Sequence, residues 1–285
     1  MSIFSWLFKR PKAVSAEADP GFPERRRSTL QVSRDKHFLT VESLDFYGLY
    51  QLSKSKQWAI AWRDSDPAAG RGGHRESGLG AYVLADLSSG TVNMARPNNG
   101  HVSDSGVFCL EDWHFGSSLS GTFSVFDSAG TVIITKELTA NIFTSGISRN
   151  GKYAFCATAN SPSAHGNKVF LFDLLKRVEL YCVTPEAGWP ESYEVDEKTG
   201  ELIAHFKEVG SFRYDIDGQF LDDDQLEDAN LTSSRFERIL LSAEKVLGEV
   251  DLTDERVVEV LDAVQRARSL GADQYPAWRA TALKV

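Results

Sequence analysis

Over most of its length the chain alternates short apolar runs with polar turns rather than showing helical stripes, a pattern that predicts β-strands. The clearest stretch runs from Ile142 to Val183. It holds an apolar run, the turn Ser148-Arg-Asn-Gly151-Lys152, a second run at Tyr153-Ala-Phe-Cys156, a polar loop, and Val169-Phe-Leu-Phe-Asp173. The turn recurs as Ser53-Lys-Ser-Lys56, Ser103-Asp-Ser-Gly106 and Asp196-Glu-Lys-Thr-Gly200, so its copies begin at 53, 103, 148 and 196, a spacing of 45 to 50 residues. Strand-like runs follow each copy, at 58–62, 107–110, 153–156 and 202–206, and a third run then ends in an aligned Asp: Asp86, Asp127, Asp173 or Asp215. Each of these Asp residues opens a tight turn, as in Asp127-Ser-Ala-Gly130 and Asp215-Ile-Asp-Gly218, where the carboxylate can accept backbone N–H groups and Gly can take positive φ. Outer strands are predicted at 131–135 and 178–182, and one or two more at 30–32 and 37–41.

A period of this size, with about four strands and Asp/Gly turns per unit, is the pattern of propeller blades. Over residues 41–220 the chain resembles the WD-repeat and WD-like β-propellers in blade pattern. Ala-Asp, Phe-Asp and Tyr-Asp stand where that family has Trp-Asp, and Gly-His occurs once in a matching place, at Gly100-His101, so the family's buried His/Asp network is not carried over. The expected fold is mainly β, a propeller-like antiparallel meander of four or five blades with a C-terminal α-helical cap. Three arrangements stay open: a closed four-unit ring, a fifth blade completed by residues 29–41, or an open arc whose edges a helix or a second subunit covers.

After Asp222-Asp-Asp224 the period becomes helical. Phe236, Ile239, Leu240, Ala243 and Leu247 form one stripe and Val257, Val260, Leu261 and Val264 another, with Thr253 as N-cap and Gly271 as stop. A third helix is predicted over 276–283 and weakly resembles the first helix of a tetratricopeptide repeat. These helices are expected to cap the β-region; the alternative is a truncated helical array. The organisation read from sequence is a flexible tail over 1–28, a propeller-like domain over 29–221 and a helical segment over 222–285.

Charge and composition narrow the function. A net charge of -9 and a pI near 5.2 argue against a general nucleic-acid binder, whose affinity comes largely from Lys and Arg neutralising phosphates. Cys109, Cys156 and Cys182 each sit in an apolar run, an odd unclustered set that suits small buried hydrophobes in a reducing, cytoplasmic compartment. The apolar tract of residues 1–8 precedes Lys9-Arg10 rather than following a basic region, so it reads as a docking patch for the protein's own body, a partner or, less favoured, a membrane surface.

Candidate chemistry is sparse. None of the six histidines has a partner at zinc-ligand spacing, so neither a metal nor a cofactor is expected. The acids Asp215, Asp217 and Asp222 to Asp224 read as a hairpin turn followed by an acidic helix start, because the Glu that would close a calcium loop falls one place late, at Glu227. The loop Gly70-Arg71-Gly-Gly-His74-Arg75 lacks the Gly-Lys-Ser/Thr of a phosphate loop. In a propeller it shares a face with the other loops between second and third strands and with the inter-blade connections. That face gathers Arg71, His74 and Arg75 with Trp113, His114, His165 and Trp189, and Trp and Arg are the types that dominate binding hot spots. The expected function is a non-catalytic protein-interaction module or assembly subunit holding a protein partner through these seven residues. The alternative is an enzyme or small-ligand receptor using His114, His165 and Asp112 at the mouth of the ring.

Overall fold

The sequence repeat folds as a succession of antiparallel sheets joined in chain order. The computed structural model describes residues 30–32, 37–41, 44–63, 80–84, 89–92, 94, 96–114, 119–249 and 252–276. They form two compact units, one running up to Thr184 and including Val195–Gly200, the other made of Pro185–Glu194 and the chain from Glu201 onward. Asp86, the tail over 1–28 and the helix expected over 276–283, apart from Pro276, lie outside the described residues.

In the first unit, β1 (Leu30–Val32), β2 (Phe38–Val41), β3 (Phe46–Leu52), β4 (Ala59–Arg63), β5 (Gly80–Leu84) and β6 (Ser89–Val92) make one six-stranded meander. Residues 30–41 thus extend the first sheet instead of beginning a separate one. Four strands follow as a second sheet, β7 (Pro97–Val102), β8 (Phe108–Trp113), β9 (Gly121–Phe126) and β10 (Val132–Leu138). A third sheet has β11 (Ile142–Ile147), β12 (Tyr153–Thr158), β13 (Val169–Asp173) and β14 (Val178–Val183). The fold is mainly β and propeller-like, as the repeat requires.

Side-chain alternation explains why these sheets stack. On β8 and β9, Phe108, Leu110 and Phe126 pack with Ile60 and Trp62 of the first sheet. Cys109, Phe123 and Val125, of opposite parity, pack with Ala154, Cys156, Phe170 and Phe172 of the third. A strand whose odd and even residues both meet a neighbouring sheet is buried on both faces and is mostly apolar. Every residue of β12 and β13 is accordingly buried, whereas the outer strands β10 and β14 are largely exposed. Cys182 lies on β14 and is exposed, which departs from the buried role expected of all three cysteines.

Turn chemistry fixes the strand ends. Asp127 Oδ1 accepts the N–H groups of Ala129 and Thr131, and Asp173 Oδ1 accepts those of Leu175 and Lys176. In the other turn, Ser148 Oγ accepts Lys152 N and Tyr153 N at 3.0 and 2.9 Å. The four copies are also bonded in series: Asp104 accepts Ser55 N at 2.7 Å and Arg149 Nε at 2.5 Å, and Asn150 N donates to Glu197 at 2.6 Å. Burial works against ionisation of Asp104, but the bonds from Ser55 and Arg149 outweigh it and hold its pKa at about 2, below the ordinary 3.8. A depressed carboxylate adds stability above its unfolded pKa and loses it as pH falls through the folded value. Asp104→Asn is therefore expected to cost about 1 kcal/mol at neutral pH. In urea titrations the gap from wild type should close toward pH 2; a gap that persists there would show that Asp104 does not act through its charge.

The second unit contains β15 (Ser192–Val195, whose last residue belongs to the first unit), β16 (Leu202–Phe206) and β17 (Gly210–Tyr214) in one three-stranded sheet. It continues with α1 (Asp223–Leu231), α2 (Phe236–Val246) and α3 (Asp254–Ser269). The helices bury Ile239, Leu240, Ala243 and Val246 against Val260, Ala263, Val264 and Ala267. The inward face of α3 is thus rotated from the expected stripe: Ala263 and Ala267 join Val260 and Val264 inside, and Leu261 is on the exposed side. Thr253 Oγ1 caps α3 by accepting Arg256 N, and Gly271 takes φ of 102° after its end. Asp223 and Asp224 occupy the first turn of α1. Asp222 makes no capping bond; it is buried and accepts Arg213 N, Nε and Nη2 at 2.8, 3.0 and 2.7 Å, tying β17 to the start of the helix.

Candidate functional site

The residues singled out by sequence fall into three groups. Arg71, His74 and Arg75 lie outside the described residues. Trp113, His114 and His165 belong to the first unit, and Trp189 belongs to the second.

In the first unit Trp113 ends β8 and His114 follows it. His114 is held on both ring nitrogens, with Ser120 Oγ 2.9 Å from Nδ1 and Thr122 Oγ1 2.8 Å from Nε2. Asp112 is buried and accepts Arg96 N at 3.0 Å. His165, in the loop between β12 and β13, accepts Thr139 N at 3.2 Å and stands edge-on to Phe170. Each of these side chains is engaged in fastening a loop or strand end. Among the described residues no set of three His, Cys, Asp or Glu side chains is arranged to hold a metal ion.

The strongest electrostatic feature of this unit was not legible as a motif. Glu111, 1% exposed, points between the second and third sheets. Its carboxylate accepts Ser145 Oγ at 2.6 Å, Trp113 Nε1 at 3.0 Å and Asn99 Nδ2 at 3.2 Å. Asn99 Oδ1 accepts Gly100 N, so its amide nitrogen is the donor, and it also faces His101 Nε2 at 3.3 Å, which fixes that nitrogen as an acceptor. Burial raises the Glu111 pKa despite its three donors, and burial lowers that of His101 to about 4, so the imidazole is neutral. The same burial, reinforced by the Glu111 charge, pushes the Cys109 thiol up to about 12.

The second unit carries a groove of about 660 Å³ between residues 186–189 and helices α1 and α2. Trp189 is 44% exposed and Leu241 is 58% exposed along it, an apolar surface facing solvent. Lys245 of α2 reaches Asp223 at 2.8 Å and Glu227 at 2.5 Å, one cation shared by two acids of α1. Arg235 and Arg238 line the groove from the start of α2. Arg238 donates to Asn230 Oδ1 at 3.1 Å and lies 5.0 Å from the Phe206 ring centroid. Burial, and then the neighbouring Arg235 charge, lowers its pKa from the ordinary value against the opposing pull of Glu208 and Glu191. A smaller cavity in the first unit lies among Ile133, Lys136, Phe172 and Glu179 on the outer strands. Neither cavity is lined by His114, His165 or Asp112. Sequence reasoning reached Trp189 but missed Arg238 and Leu241, whose helical spacing alone gives no sign of what they face.

No helix among the described residues is long and apolar enough to cross a membrane. No known protein family matches the chain, and no curated protein matches its sequence. Among solved structures it is similar to HIRA(644–1017), with 12% identity and a TM-score of 0.46 over 82% of this chain and 77% of that one. It is similar also to the Dos1 propeller, with 14% identity and a TM-score of 0.42 over 68% of this chain and 57% of that one. A third likeness, to a chain of the Mitotic Checkpoint Complex, has 10% identity and a TM-score of 0.40 over 75% and 74% of the two chains. These likenesses are partial, and the propeller-like fold rests on the strand pairing itself.

Proposed function

We propose that the protein is a non-catalytic interaction module that holds a protein partner through the groove around Trp189. One observation carries this reading: a large aromatic, Trp189, and a leucine, Leu241, both stand partly exposed along one concave surface that Arg235 and Arg238 also line. Water is a poor environment for such a surface, and Trp and Arg anchors surrounded by less important contacts are the usual source of binding energy between proteins. The engaged state of His114, His165 and Asp112 supports a binding role over a catalytic one, since their hydrogen bonds are used within the fold. In this reading Trp113, His114 and His165 shape the sheet ends, and Trp189 is the anchor.

The test is affinity purification of the tagged full chain from its own cells, wild type against Trp189→Ala/Leu241→Ala. Leu241 is 58% exposed and its truncation should cost about 0.5 kcal/mol, whereas Trp189 is more than half buried and its truncation should cost about 1–3 kcal/mol, so the thermal midpoint of the variant is measured first and binding is compared well below it. A stoichiometric partner should be retained by wild type and weakened by roughly tenfold or more in the variant. The same proteins recovered equally with both would remove the groove as the binding surface.

A further inference from the structure

The groove of the second unit and the apolar tract that opens the chain are complementary in two respects, apolar surface and charge. The groove presents Trp189 and Leu241 partly exposed to solvent. Its own cations are already engaged: Lys245 bridges Asp223 and Glu227, Arg235 stands 3.8 Å from Glu237, and Arg238 bonds Asn230 within the pull of Glu208 and Glu191. Residues 222–249, which carry α1 and α2, hold eight acids against Arg235, Arg238 and Lys245. With Arg213 paired to Asp222 and Arg256 to Asp228, three acids remain in excess, and Glu186 adds another along the groove. The tract reads Ile3-Phe4-Ser5-Trp6-Leu7-Phe8, followed at once by Lys9, Arg10 and Lys12, with no acid before Glu17. Exposed apolar side chains beside uncompensated carboxylates favour a segment of that composition.

We propose that residues 3–12 of the chain are the resident occupant of the groove, their aromatic side chains covering Trp189 and Leu241 and their three cations meeting the excess carboxylates, so that a partner binds by displacing them. The displacement step rests on the groove being the partner site. Reach is sufficient: residues 13–29 span about 60 Å when extended, against a radius of gyration of about 19 Å for a compact chain of 285 residues. A tether of this kind supplies an effective concentration on the order of 1 mM, so docking with a Kd of about 0.1 mM fills the groove in about nine molecules of ten. A membrane surface is the weaker occupant for the tract, since one short apolar patch gives only marginal membrane binding.

The probe is a fluorescein-labelled peptide of residues 1–14, titrated by polarisation against the full chain. Wild type, whose own tract competes, should bind it about tenfold more weakly than the full-length Trp6→Ala/Phe8→Ala variant. In that variant, adding Leu241→Asp should abolish binding and adding Asp223→Lys should weaken it severalfold; both side chains are exposed, and dichroism checks the fold. Exchanging Lys9, Arg10 and Lys12 of the peptide for Glu should weaken it at least tenfold. Equal affinity of the basic and Glu-bearing peptides, or equal affinity of the two chains for the basic one, would overturn the tract as resident occupant and leave the groove open to a partner. No binding to either chain would overturn it too, and sedimentation of the peptide with vesicles of phosphatidylcholine and phosphatidylserine would then mark the tract as a membrane anchor. Displacement is tested apart: affinity purification with Trp6→Ala/Phe8→Ala should recover severalfold more partner than wild type. Unchanged recovery beside positive peptide binding would overturn displacement and the groove as partner site, and leave the docking itself in place.

Discussion

Glu111→Gln is expected to gain stability relative to wild type as pH rises above the ordinary Glu value of 4.5, while Glu111→Ala destabilises the protein by about 3 kcal/mol. The alanine variant removes the common acceptor of Ser145, Trp113 and Asn99, leaving donors buried between two sheets, and each unsatisfied donor costs about 1–3 kcal/mol. Some of that loss is offset because a desolvated carboxylate without a counter-ion also disappears. Glutamine keeps the shape; with its oxygen toward Trp113 Nε1 the Ser145 hydroxyl can turn to accept from the new amide, and Asn99 Nδ2 loses that acceptor but keeps His101 Nε2. The pH dependence separates the two effects. Glu111 has a folded pKa raised above its ordinary 4.5, so its contribution is fully present below that value and is lost as pH rises through the folded one. His101 acts oppositely: with its pKa lowered from 6.5 to about 4, it contributes stability above 6.5 that is lost as pH falls toward 4. Between pH 4.5 and 6.5 the two contributions oppose one another, and Glu111→Gln, which removes only that of Glu111, should gain stability relative to wild type as pH rises. Thermal midpoints of both proteins from pH 4 to 9 would measure this; a difference between them that does not change with pH would mean that Glu111 does not act through its titration.

The network shows which parts of this molecule a linear reading can reach. The Asp and Ser turns were legible because their chemistry is local: the acceptor and the N–H groups it satisfies lie within five residues, as with Ser148 and Tyr153 or Asp127 and Thr131. Strand order followed from the same turns, since short connections leave antiparallel neighbours as the simplest outcome. The Glu111 cluster was not legible, because Asn99, Glu111 and Ser145 meet across three strands and each alone is an ordinary polar residue in an apolar run. The groove escaped for a related reason. Trp189 stood out by type, but Arg238 and Leu241 lie on a helix whose stripe announces only its buried side, Ile239, Leu240 and Ala243. Asp222 was grouped with Asp223 and Asp224 as helix-dipole acids, and what separates it is Arg213, nine residues upstream in the preceding strand.

Gly48→Ala is expected to cost about 3 kcal/mol or more through overpacking. Gly48 lies in β3 between β2 and β4, opposite Leu39 on one side and next to the Leu49–Trp62 pair on the other. A Cβ placed there would stand 2.3 Å from the Trp62 carbonyl oxygen and 2.9 Å from the Phe46 ring. The carbonyl is backbone of a paired strand and cannot swing aside, so β3 and β4 would have to separate. Trp62 would move with them, and Trp62 packs into the core shared with Phe108, Leu110 and Phe126 of the second sheet. The strain is steric, since Gly48 does not need positive φ, which makes Gly210→Ala the informative comparison. Gly210 has φ of 102° with nothing within 4 Å of an added Cβ, so its substitution isolates the dihedral cost of about 1–2 kcal/mol. Urea unfolding followed by tryptophan fluorescence for the first unit, where Trp58, Trp62 and Trp113 lie, and by far-ultraviolet dichroism for the helices should place the Gly48 variant well below the Gly210 variant. If Gly48→Ala unfolds no earlier than Gly210→Ala, the core that Trp62 shares with the second sheet does not depend on the close approach of β3 to β4.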